Sequence, residues 1–522
     1  MFVTTAAFNP MSEAGAFAPV YEKLEELIAH WRASAPMKHS DLEDWLFTEM
    51  LEVGRRFYQA ALDERGPGAV LQPVIDADGE VHTQQRLRSR WLLTLFGRVE
   101  VEREGYGKPG LKSLHPLDAE LNLPPELYSH GVRRRAAEEA AKNSFDEVVI
   151  SLGETTGAAA PKRQVEQLIE RAAQDFEAFY EAQRAATPEE VAKSSGLLIL
   201  TSDGKGVPMR EADLRKATRE AACARRPKFK HRRAKGEKPH TKRMATVASV
   251  YTIAQWVRRP EEVVREFGPV KAVQTPRPKP EDKRVWASLK QPPEEVIRQA
   301  FEEAARRDPE RTKRWAAVVD GNPLQLGLLM VAAEEYGVEL TIVLDLIHVI
   351  EYLWKAARAF YPAEAPQAEL WVSERLLEIV RGRSSVVAAA IRRSATARDL
   401  SPKQRAPADK GADYLLKYAD FLRYDEYLRA GLPIASGVIE GACRYVVKDR
   451  MEITGAGWSL DGAEAVLQMR ALRASGDFDE YWKFHLEQEQ KRHHTNHYAE
   501  GKVPLPPPNS DGGNLPHLRL IK

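Results

Sequence analysis

Three short apolar runs, each closed by an aspartate, constrain this chain more than any other feature: Leu197-Leu-Ile-Leu-Thr-Ser-Asp203, Trp315-Ala-Ala-Val-Val-Asp320 and Val338-Glu-Leu-Thr-Ile-Val-Leu-Asp345. Apolar runs of this length, bounded by turn signals, read as buried strands. The first enters an expected hairpin turn at Asp203-Gly204-Lys205-Gly206, and a second β-prone stretch follows at residues 244–253. The other two lead into helices. Asn322 and Pro323 supply a cap and a first-turn proline, and Asp345 runs straight into a helix expected over residues 346–360. In open α/β sheets, ligands gather at such carboxyl ends of strands.

At 522 residues the chain is long enough for several domains. Residues 1–130 open with helical patterning at 20–33 and 42–65, then change period to a small β-hairpin around Phe96-Gly97-Arg98. Residues 131–190 read as helical, with amphipathic helices at 145–152 and 163–176 joined by the Gly/Ala/Pro-rich link 153–161. That is the layout of a helix-turn-helix DNA reader, and equally of any helical hairpin. Residues 195–360 alternate strand and helix around a basic insertion at 205–243, residues 361–430 are helical, and 431–485 carry the late helices. Residues 486–522 are expected to be a flexible tail.

No stretch approaches the ~18 apolar residues of a membrane span, and the start of the chain lacks the basic and apolar segments of a signal peptide. A soluble, cytoplasmic and nucleoid-associated protein with no membrane partner is expected. Cys223 and Cys443 are the only cysteines, far apart, so neither a disulfide framework nor a cysteine zinc site is on offer. The net charge of +1 hides an uneven distribution: between Lys205 and Arg243, 15 Lys/Arg stand against 4 Asp/Glu. Arg225, Arg226, Lys228, Lys230, Arg232 and Arg233 form the densest run, an electrostatic footprint suited to DNA phosphates. The plain reading is a disordered, solvated charged loop, and the two are compatible because such a loop can order on binding DNA.

A hairpin-linked set of strands, two strand–helix units and a late helix follow the order of a ribonuclease-H-like core, a mixed five-stranded sheet flanked by helices. In that arrangement the first and fourth strands are neighbours, which sets Asp203 beside Asp320. Joined by Glu440 from the late helix, they could hold two divalent cations about 4 Å apart, one for the attacking and one for the leaving oxygen. Hard oxygen donors favour Mg²⁺ or Mn²⁺. Each residue also has a plain reading: Asp203 and Asp320 as turn residues, Glu440 as a first-turn glutamate, and Asp345 as the cap of the next helix. His348 reads first as a core or interface histidine rather than a ligand, and Cys443 as a buried thiol rather than a nucleophile. Arg444 and Lys448 share the Glu440 face by the i, i+4 rule, where they would pair with it or contact DNA phosphates.

Taken in order, Thr201-Ser-Asp-Gly-Lys-Gly-Val207, Val318-Val-Asp-Gly321, Leu344-Asp-Leu-Ile-His-Val-Ile-Glu-Tyr-Leu-Trp354 and Gly431-Leu-Pro-Ile-Ala-Ser-Gly-Val-Ile-Glu440 carry a resemblance. So do Cys443-Arg-Tyr-Val-Val-Lys-Asp-Arg-Met451 and Gly455-Ala-Gly-Trp458. The chain resembles the DDE transposases of bacterial insertion sequences, most closely the ISKra type, over most of its length. The resemblance implies an α/β ribonuclease-H-like catalytic core with an all-α insertion and a mostly helical N-terminal DNA-binding region. It implies Asp203, Asp320 and Glu440 as metal-binding triad, with Asp345 and His348 as positioning groups or Asp345 as the alternative second ligand. It further implies nicking of a mobile element's ends and joining of the 3′-hydroxyl to target DNA by a homodimer. The paired cysteines of relatives after the hairpin are absent from Glu104-Gly-Tyr-Gly-Lys-Pro-Gly110, which leaves a zinc element there without ligands.

Overall fold

The computed structural model describes residues 15–185, 196–224, 241–267, 276–362, 364–453 and 455–505. The chain divides into two compact units, residues 1–175 with 479–522, and residues 176–478. The candidate DNA contacts Arg225, Arg226, Lys228, Lys230, Arg232 and Arg233 lie outside the described residues. No helix among the described residues is long and apolar enough to cross a membrane.

In the first unit the helices Ala18–Ala33 and His39–Arg65 precede two hairpins. The short strands β1 (Val74–Ile75) and β2 (Val81–His82) form one, and β3 (Gln84–Thr94) and β4 (Gly97–Gly107) the other. The second hairpin turns through Leu95 and Phe96, as Phe96-Gly97 suggested, because Gly97 alone tolerates the φ of +126° that the turn requires. Its alternation works on one face: Leu92, Val99 and Val101 are buried while Arg98 and Glu102 are exposed. Helices His130–Ala140, Phe145–Thr155 and Lys162–Ala173 follow, the second opened by a capping box between Ser144 and Glu147. The helix expected to run to Phe176 ends at Ala173. The expected flexible tail is ordered in its first part, a correction with a physical cause. The helix Phe478–His493 carries the chain onward, and Tyr498 is then buried with Val70, Val74, Tyr106 and Leu114, a gain of apolar burial that holds the segment down.

The second unit is mixed α/β around one five-stranded sheet of order β7-β6-β5-β8-β9. Strands β5 (Leu197–Pro208), β6 (Lys242–Ile253) and β7 (Glu281–Ser288) form an antiparallel meander. Strands β8 (Trp315–Val319) and β9 (Leu340–Leu344) run parallel to β5. The helices Pro293–Arg307 and Pro323–Glu335 make the connections into β8 and β9. Leu197 to Leu200 and all of β8 are buried, the continuous apolar pattern of strands covered on both faces. Strand β5 does not stop at Asp203. It continues through the glycines to Pro208, because Gly204 and Gly206 pair with Thr246 and Met244 of β6 and the ladder outweighs the turn preference of Asp-Gly. Between the helix Leu346–Ala357 and Gly431 the chain forms the helices Pro366–Val380, Ser384–Ala397, Pro402–Lys417 and Tyr424–Arg429.

Candidate metal centre

The strand registers direct three aspartates toward one row of the sheet. Strand β5 pairs with β8 through Leu198 with Trp315, Ile199 with Ala316 and Leu200 with Ala317. Continued three residues, that register sets Asp203 opposite Asp320. Strand β8 pairs with β9 up to Val319 with Leu344, and one residue further Asp320 stands opposite Asp345. The Asp345 amide donates to the Val319 carbonyl at 2.8 Å, which keeps this register beyond the last ladder pair. Residues on one row project from the same face, so three strands bring three carboxylates to one sheet end.

Their surroundings differ. Asp203 is half-buried; one carboxylate oxygen accepts from the Gly204 amide at 2.6 Å and the other from the Cys443 thiol at 3.2 Å. Asp320 is also half-buried, and one oxygen accepts from the Asn322 amide at 2.8 Å. Gly321 after it sits at φ +89°, and a Cβ there would meet Leu344 Cδ1 at 2.9 Å. Asp345 is wholly buried, with both oxygens engaged: one caps the next helix through the Ile347 amide at 2.9 Å, and the other accepts from Ser436 and lies 3.2 Å from His348 Nδ1. Its capping role is thus real. The hydrogen bond to Asp345, foremost, raises the His348 pKa to about 9.

Glu440 lies on the helix Gly437–Ala442 and is exposed. Oxygen or nitrogen atoms of Asp345, His348 and Glu440 gather within 4.8 Å of one another. Partial burial of its carboxyl holds Glu440 above its ordinary pKa, with the charges of Asp345 and Asp203 adding and His348 opposing. The fields of Asp320 and Asp345 likewise reach His348. Glu440 is therefore grouped with Asp345 and His348, while Asp320 joins the neighbourhood through its sheet row. The acidic oxygens suit a divalent cation, and their mutual repulsion is what an ion would relieve.

The i, i+4 face expected for Glu440, Arg444 and Lys448 is broken. Residues Cys443–Lys448 form a π-helical turn, whose wider winding moves later side chains off an α-helical stripe. Arg444 pairs with Asp449 at 3.6 Å rather than with Glu440, and both Arg444 and Lys448 are exposed. Cys443 is the buried thiol that was one of its two readings, and burial pushes its pKa well up.

Four tyrosines not singled out from sequence hold the backbone around the aspartates. Tyr414 donates to the Asp320 carbonyl at 3.3 Å and Tyr418 to that of Gly321 at 2.6 Å. Tyr424 donates to the Leu344 carbonyl at 2.7 Å and Tyr427 to that of Ile342 at 3.1 Å. Ser436, another residue given no role, completes the shell of Asp345.

A second group with ligand composition, Asp175, His485 and Glu489, is buried in the first unit. There the Arg133 guanidinium lies 3.0 Å from His485 Nε2 and pairs with Glu489 and Glu126. Arginine only donates, so His485 Nε2 accepts and its Nδ1–H donates to Asp175 at 2.7 Å. A fixed cation already fills the place an ion would take, and this cluster is a structural charge network.

No protein-family model matches the chain, and no curated protein matches it.

Proposed function

We propose that this chain is a DNA transposase of the DDE kind, cutting the ends of a mobile element and joining the freed 3′-hydroxyl to target DNA. The observation that carries the reading is Glu440, from a later helix, meeting Asp345 and His348 at the end of β9, with Asp320 one residue beyond the β8–β9 ladder and Asp203 on the neighbouring β5. The strand order β7-β6-β5-β8-β9, with β6 alone antiparallel to the other four strands, supports a ribonuclease-H-like core, and the four helices within 361–430 an all-α insertion in it.

Asp203, Asp320 and Glu440 would hold the cations. Asp320 is favoured as second ligand because Asp345 is wholly buried and both its oxygens are already engaged. A specific observation favours the other reading, in which Asp345 is the ligand: it is the aspartate grouped with Glu440. A pair of Mg²⁺ or Mn²⁺ ions, when bound, would activate the attacking oxygen and stabilise the leaving one. The protein's part is positioning. Ser436 and His348 orient Asp345, the tyrosines fix the turn that carries Asp320, and the exposed Arg444 and Lys448 offer charge to DNA phosphates. Water and then the 3′-hydroxyl serve as nucleophiles, so no side chain becomes covalently attached. Holding two DNA ends calls for a dimer on DNA.

The test is Mg²⁺-dependent cleavage and strand joining on the element's own ends. Asp320→Asn is expected to abolish both products, while Asp345→Asn loses roughly 10- to 100-fold, the usual cost of a group that orients a ligand. The reverse order moves the second ligand to Asp345. Cleavage without joined products marks a nuclease, and DNA binding without either reaction marks a scaffold.

A further inference from the structure

The first unit contains a cavity of about 370 Å³ between the β3–β4 hairpin and the segment that follows the helix Phe478–His493. We propose that this cavity binds a phosphate group, carried either on a DNA strand or on a free nucleotide. The assignment stands apart from the carboxylate centre and does not depend on the reading of that centre.

Charge is the first argument. Arg90, Arg103 and Lys112 line the cavity against a single carboxylate, Asp118. Arg103 pairs with Asp118, which cancels one positive charge and leaves the other two. The Arg90 guanidinium spends its visible hydrogen bond on the neutral Glu126 carbonyl, and Lys112 is exposed with no ion-pair partner among the described residues. The fold also leaves hydrogen-bonding capacity unused at the cavity. Arg103 Nε is buried without a partner, which costs stability unless something outside the fold accepts from it.

Third, the imidazoles at the cavity register its field. Burial and then the charges of Arg103, Arg90 and Arg88 hold His115 down to about 4, and burial with Lys112 lowers His497. Cations that suppress protonation of two lining histidines are cations whose field converges where an anion would sit. Arginine forks and a lysine point charge are the side chains that recognise phosphate oxygens. The volume falls within the range of small-molecule sites, enough for a mononucleotide or one residue of a strand.

The experiment uses the whole chain of 522 residues. Histidine ring resonances, assigned through His115→Gln and His497→Gln, are followed during titration with inorganic phosphate, then with deoxynucleoside monophosphate. In parallel, anisotropy of a labelled duplex compares the unaltered chain with Lys112→Ala and with Arg90→Ala, at fixed salt. The expected result is a saturable shift of His115 and His497 with phosphate, reduced at least about tenfold in apparent affinity by Lys112→Ala. Duplex affinity falling in parallel identifies a DNA strand as the source. Duplex affinity unchanged, with monophosphate binding lost in the variants, identifies a free nucleotide. Absence of any shift at both rings with either ligand, in protein whose thermal unfolding is unaltered, overturns the assignment.

Discussion

Glu440 and His348 show how a side chain's charge is set by what surrounds it. Glu440 is held above its ordinary pKa by partial burial and by the neighbouring aspartates, so its charged form works against the fold without an ion. Glu440→Gln is therefore expected to raise the melting temperature in chelator by a degree or more, and to shrink the further rise that Mg²⁺ or Mn²⁺ gives the unaltered protein. A lower melting temperature in chelator would show that its charge is compensated by a partner. His348 behaves in the opposite sense. Its pKa rises from 6.5 to about 9 through Asp345, so the folded state binds its proton more tightly than the unfolded chain does. The stabilisation is complete below 6.5 and is lost as the pH rises through 9. In chelator, the melting temperature difference between the unaltered chain and His348→Gln should be present near pH 6 and gone by about pH 10. A difference that stays constant across that range would separate it from titration of the imidazole.

Among the elements, the helices that follow β9 give the sheet end its rigidity. Tyr418 donates to the carbonyl of Gly321, next to Asp320, and Tyr414 stacks on Tyr352 with ring centres 3.9 Å apart. Tyr418→Phe leaves that buried carbonyl without a donor and should cost about 1–2 kcal/mol. If the tyrosines position Asp320, DNA cleavage at a temperature where the variant is fully folded should fall several-fold. Unchanged cleavage would confine Tyr418 to stability. These contacts join residues far apart in the chain and leave no local trace in the sequence. Strands β8 and β9 were legible because runs such as Trp315 to Val319 are apolar throughout and flow into capped helices. Strand β7 was not: its first residues, Glu281-Asp-Lys-Arg284, are charged, and only Arg284 among them is buried, through its pair with Glu303 at 3.0 Å. Asp203-Gly204 imitated a turn because pairing with β6 is a long-range decision. Asp320, Asp345 and Glu440 could be singled out from their places after strands and at a helix start, and Asp203 from an expected turn that the strand in fact runs through. The π-helical turn beyond Glu440, the tyrosine donors and Ser436 had no local signal, since each depends on a partner distant in the chain.

On the scale of the molecule, the first unit draws its charge balance from both ends of the chain, and this makes it sensitive to acid. His494 is buried there and His115 and His130 are half-buried, each lowered to about 4 chiefly by burial. All three rings are tied to backbone: His115 Nδ1 faces the Glu104 carbonyl at 3.3 Å, His130 Nε2 the Asn122 carbonyl at 2.9 Å and His494 Nε2 the Leu123 carbonyl at 2.8 Å. The unfolded chain protonates all three near 6.5, while the folded unit resists until about 4. Between those values the unfolded state binds more protons, so stability present above 6.5 is lost as the pH falls toward 4. Each pH unit that separates the folded from the unfolded value is worth about 1.4 kcal/mol, and after discounting for the partial exposure of His115 and His130 the three together amount to several kcal/mol. The second unit's His348 shifts in the other direction and adds no such loss. Calorimetry of the full chain should then show the transition of the first unit moving to lower temperature between about pH 7 and pH 5, with that of the second moving less. His130→Gln, which keeps a donor for the Asn122 carbonyl without an ionisable ring, should flatten that dependence. Two transitions that fall in parallel, with no effect of the substitution, would place the acid sensitivity elsewhere.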